Sequence, residues 1–74
     1  MTAAELNIGQ RAVVTGLADD EVALRLLDLG IRIGKPIKLR RRSLWGHTVY
    51  LEVDRTAFAL RKDELQSIFI HPTS

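Results

Sequence analysis

A chain of 74 residues without a single cysteine has to hold its fold together by apolar packing. A domain this short buries only about 60% of the surface its unfolded chain exposes, and many small domains add disulfides or a structural metal to compensate. Thiolate chemistry is absent here. The only two histidines, His47 and His71, stand in no zinc-type ligand spacing. The core must therefore come from an economical alternation of apolar and polar residues in one domain.

An apolar fraction of 46% is ordinary for a globular domain, and a net charge of +2 is too small for a disordered chain or one that coats nucleic acid. The longest apolar runs are a few residues, far below the roughly 20 that a membrane-spanning helix needs. Met1-Thr2-Ala3-Ala4-Glu5 has neither the basic nor the apolar region of a secretory signal. Together with the missing cysteines, this favours the cytoplasm.

The patterning predicts mostly strands. Asn7-Ile8-Gly9-Gln10 reads as a turn into a first strand, Arg11 to Thr15, which stops at Gly16. From Asp19 the period changes: Asp19-Asp20 offers an N-cap, Glu21 complements the first turn, and Ala23, Leu26, Leu27 and Gly30 follow helical spacing. Gly30 stands where a left-handed residue ends a helix without steric cost. Gly34 and Pro36 then introduce a strand in which Ile37 and Leu39 alternate with Lys38 and Arg40.

A loop at about Ser43 to His47 leads to Val49, Leu51 and Val53 on one face of the next strand. Asp54-Arg55-Thr56 is a tight connection into Ala57-Phe58-Ala59-Leu60, which pairs back as a hairpin. Arg61 to Leu65 predicts one turn of α-helix or 3₁₀-helix, and Ile68-Phe69-Ile70 a last short strand before a three-residue tail. Five short strands and one principal helix near residues 19 to 29 predict a mainly β fold, a small barrel whose closure removes its edges. Leu26, Leu39, Val49, Leu51 and Ile68 are the expected inward residues.

Three segments carry a family pattern: Gly9-Gln10-Arg11-Ala12-Val13-Val14, Arg25-Leu26-Leu27-Asp28-Leu29-Gly30-Ile31, and Gly34-Lys35-Pro36-Ile37. The chain resembles the FeoA family, whose arginine-leucine pair, leucine-glycine step and second glycine are matched at Arg25-Leu26, Leu29-Gly30 and Gly34. Ala59-Leu60-Arg61 and Ile68-Phe69-Ile70 look like the family's last two strands. The resemblance extends from about Leu6 to Ile70 and implies one SH3-like FeoA domain over residues 1–74. It departs in the loop Ser43 to Thr48, which lacks the prolines often seen there, and at Leu65, where a smaller residue is usual.

The resemblance implies a regulatory binding protein of bacterial ferrous iron uptake, attached to the cytoplasmic GTPase region of the membrane transporter FeoB. Two other readings are a detached SH3-like module of the kind that ends iron-dependent transcriptional repressors and a basic nucleic-acid-binding barrel. Arg32, Lys35, Lys38, Arg40, Arg41 and Arg42 form a stripe without an intervening acid that can hold phosphates, with Trp45 and Tyr50 as stacking surfaces. Strand alternation equally puts such charges on a solvated face that blunts an edge. The modest net charge favours the solvated face and makes nucleic acid the weaker partner.

No catalytic, cofactor or metal site is expected. Ser43, Ser67 and Ser74 lie in no nucleophile motif, the glycines form no phosphate loop, and turn acids such as Asp54, Asp63 and Glu64 commonly sit at the surface. The family-level association with transition metals finds no converging ligands around His47 or His71. The expected partner site is Leu44, Trp45 and His47 with Arg40, Arg41 and Arg42 around them, because tryptophan and arginine dominate interface hot spots. Trp45 folded back as a lid over the barrel's end is the competing reading. Val22, Leu24 and Leu27 widen the apolar arc of the helix and form the alternative docking face, one that also suits self-association.

Overall fold

The computed structural model of the chain describes residues 1–43, 45 and 47–73. Its elements are a 3₁₀ turn at Ala3–Glu5, β1 (Arg11–Leu17), α1 (Glu21–Asp28), β2 (Pro36–Arg42), β3 (Thr48–Val53), β4 (Thr56–Arg61), α2 (Lys62–Gln66) and β5 (Ile68–Pro72). The strands form one antiparallel sheet in the order β4-β3-β2-β1-β5.

One face of every strand enters a single core. Ala12 and Val14, Ile37 and Leu39, Val49, Leu51 and Val53, Leu60, then Ile68 and Ile70 are all buried there, as period-2 alternation requires. All five residues expected inward are at most 4% exposed. Phe58 packs partly buried against the same cluster, on the face of Leu60.

The sheet does not close into the expected barrel. β4 and β5 are its two edges, and the gap between them is filled by α2 and the 3₁₀ turn, which pack on each other. Leu65 of α2 and Ala3 and Leu6 from the N-terminal segment supply buried apolar surface there in place of inter-strand hydrogen bonds. The β5 edge gains a partial neighbour: Thr2 bridges Phe69, and the Ile70 N–H donates to the Met1 carbonyl at 3.0 Å.

Two strand limits differ from the expectation. β1 continues through Gly16 to Leu17, with a register shift between Val14 and Gly16 that leaves Thr15 as an extra residue. Such a bulge bends a strand without ending it. At the other end, Pro72 belongs to β5 and the Thr73 N–H donates to the Arg11 carbonyl at 3.0 Å, so these two residues are no loose tail.

α1 starts where the sequence places its cap. The Asp20 carboxylate accepts from the Val22 and Ala23 N–H groups at 3.0 and 3.2 Å, satisfying donors the first turn leaves unpaired. It ends at Gly30, whose φ of +90° is the left-handed conformation expected there.

Candidate docking surface

Strict alternation from Ile37 puts Arg41 on the inner face of β2 with Arg40 and Arg42 on the outer. The structure re-aims them. Between Leu39 and Arg41 the β2–β3 register shifts, so Leu39 faces Leu51 but Arg41 faces Tyr50 and Arg42 faces Val49. Arg40 is the extra residue of this bulge. Directly opposed residues share a face, so Arg41 lies outside on the Tyr50 ring, 4.3 Å from its centroid, and Arg42 lies on the side of buried Val49.

Each of the three arginines has a partner. Arg40 pairs with Glu52 at 2.8 Å, Arg41 stacks on Tyr50, and an Arg42 Nη donates to the Leu6 carbonyl at 2.8 Å. Lys35, further up the basic stripe, pairs with Asp54 at 2.6 Å. The stripe is thus divided between two faces and partly neutralised, which makes it a poor continuous track for a phosphate backbone.

Trp45 is 83% exposed, so it forms no lid over the core. His47 is exposed as well, while Leu44 lies outside the described residues. On α1, Leu24 is 71% exposed and Leu27 is exposed at the margin, whereas Val22 is half-buried and packs against the core. Only two of the three residues of the alternative helix face are therefore outward.

The helix is fixed at both ends by contacts that sequence reading missed. At its start, Ser67 Oγ donates to the second Asp20 carboxylate oxygen at 3.2 Å. Further along, the Arg25 guanidinium donates to Glu64, whose other carboxylate oxygen accepts the Arg61 N–H at 3.0 Å. Glu64 is buried where a surface acid was expected. The available signal was its position: a glutamate three residues past a helix's cap residue returns to the cap's N–H.

Two of the acids weighed as catalytic are held in ion pairs, Asp54 by Lys35 and Glu64 by Arg25. Among the described residues no group of three or more histidine, aspartate or glutamate side chains is placed to hold a metal. What the geometry offers is surface: an exposed indole in the β2–β3 connection, which follows three exposed arginines aimed at two faces of the sheet. The fold is a small, mainly β domain: one open five-stranded antiparallel sheet with two short helices.

Comparison with known proteins gives the family. The FeoA domain model matches residues 1–72, and the chain belongs to that family. A Campylobacter jejuni protein carrying the provisional name Fe(2+) transport protein A is 36% identical over 72 residues, which span 96% of this chain and 97% of the relative. The FeoA structure from Chlorobium tepidum superposes with a TM-score of 0.89 at 29% identity, covering 100% of this chain and 71% of that one. FeoA from Stenotrophomonas maltophilia, solved with zinc and described as a procaryotic SH3 domain protein, gives 0.86 at 29% identity, with 96% and 89% covered.

Proposed function

We propose that this chain is a cytoplasmic accessory protein of bacterial ferrous iron uptake that acts by binding, without catalysis, to the cytoplasmic GTPase region of the membrane transporter FeoB. Membership of the FeoA family supports the pathway. No helix among the described residues is long and apolar enough to cross a membrane, in keeping with a protein that meets the transporter from outside the bilayer.

The observation that carries the docking site is Trp45, the chain's only tryptophan, 83% exposed and close in sequence to Arg40, Arg41, Arg42 and His47. A large rigid side chain left in water contributes little to folding but excludes water over a wide area once covered by a partner. The division of the basic stripe between two faces, with Arg40 held by Glu52 and Lys35 by Asp54, favours a protein surface over nucleic acid, which would need a continuous track of free charge.

Calorimetric titration of the chain against the transporter's cytoplasmic domain tests this reading, with Trp45→Ala set beside it. The variant is expected to lose about 2 kcal/mol or more of binding while its thermal melt is unchanged. Unaltered affinity eliminates the loop as the docking site. The exposed Leu24 and Leu27 of α1 support a second face, and Leu24→Gln with Leu27→Gln then becomes the variant that must lose binding.

A further inference from the structure

The bulge at Arg40 has placed Arg42 at the mouth of a cavity of about 280 Å³ between the 3₁₀ turn, the start of β3 and α2. Its lining has an unusual division of labour. Arg42, Lys62 and His47 are its polar members, all exposed and all donors, while Val49 and Leu65 are its buried apolar floor and Ala4 one half-buried wall. Among the described residues no carboxylate lines it. Lys62 and Leu65, three apart in α2, share one helix face and so deliver one cation and one floor residue to the same space.

We infer that this cavity is a binding site for a carboxylate carried on a short apolar stem. Arg42 uses one N–H on the Leu6 carbonyl, which fixes the guanidinium and leaves further donors of its planar fork for a bidentate grip on two oxygens. Lys62 adds a second cation, and His47 a ring N–H. A bare spherical anion would leave the floor of Val49 and Leu65 unused, whereas an alkyl stem behind the carboxylate lays its own apolar surface against them and gains from leaving water. The same chemistry is offered by a glutamate side chain of a protein partner and by a free small organic acid. The inference does not depend on the Trp45 docking reading, because the isolated chain suffices to test it.

The test is heteronuclear NMR of the full ¹⁵N-labelled chain, titrated with sodium butyrate and sodium acetate at an ionic strength held constant with chloride. Saturable shifts are expected at Ala4, Val49, Lys62 and Leu65, with butyrate binding tighter than acetate. Lys62→Gln, a change at an exposed position, should weaken butyrate about tenfold. Arg42→Lys, which keeps the charge but not the fork, should weaken it as well in a chain that remains folded.

A blocked tripeptide with one glutamate between two leucines separates the sources. Tighter binding than butyrate assigns the carboxylate to a protein partner, and weaker binding assigns it to a free acid. The inference is overturned by the absence of saturation, by equal shifts with chloride alone, by a Lys62→Gln chain that binds butyrate unchanged, or by a glutamine tripeptide that binds as well as its glutamate counterpart.

Discussion

Arg25 on α1 and Glu64 on α2 form an ion pair across 39 residues of sequence, and it is lopsided: the arginine side chain is 58% exposed and the glutamate only 7%. The two ends are therefore unequal in what their loss leaves behind. An arginine released from the pair turns to water, but a carboxylate released from it stays buried with a single N–H partner from Arg61.

The expected consequence is an inversion of sign. Arg25→Ala should destabilise the fold by about 1–3 kcal/mol, since it strands a buried charge. In that background Glu64→Gln should restore stability, because an amide is cheaper to bury than an unpaired carboxylate. Urea denaturation of the three proteins measures this, and a double variant less stable than Arg25→Ala would sink the account.

Leu26 is the one residue of α1 that is fully buried. Leu26→Ala is expected to cost about 2–5 kcal/mol, the transfer of the lost side chain plus the cavity it leaves. A loss below roughly 0.5 kcal/mol in the same denaturation series would put α1 off the core.

The β3–β4 hairpin turns through Asp54 and Arg55 with φ of +51° and +68°, the left-handed pair of a tight two-residue turn. Asp54 tolerates this conformation, and its carboxylate also holds Lys35. Arg55 has no such reason, so Arg55→Gly should stabilise the protein by about 0.5–1 kcal/mol, net of the glycine's greater unfolded freedom. A lowered melting temperature would contradict it.

Metal binding is expected to be weak. His47 precedes β3 and His71 lies in β5, and no cluster of three ligating side chains forms among the described residues, whereas a divalent ion needs several ligands converging on one point. Anaerobic calorimetry with ferrous iron should give no stoichiometric, saturable heat. A one-to-one isotherm would overturn this.

Much of this architecture was legible because period-2 alternation survives in the sequence: Val49, Leu51 and Val53 point inward as read, and Asp20 and Gly30 bound α1 as read. What stayed hidden depends on contacts distant in sequence. A bulge adds one residue to one strand, and nothing in Leu-Arg-Arg-Arg says which arginine is the extra one, so the faces of Arg41 and Arg42 were exchanged. The burial of Ala3, Leu6, Glu64 and Ser67 arises only when α2 and the N-terminal segment fill the space between the edge strands. That same filling explains why the sheet stays open.

The sheet order has a consequence in time. β1 stands between β2 and β5, and its second neighbour pairs Ala12 with Pro72. During synthesis the β2–β3–β4 meander can form from local contacts as it emerges, but β1 keeps one bare row of amides and carbonyls until the last strand is made. Closing so long a loop is the slow step that such topologies impose. Until it closes, the exposed edge of β1 is open to the strands of other nascent copies. A shortened chain that lacked β5 would therefore be an aggregating species rather than a smaller version of the same domain.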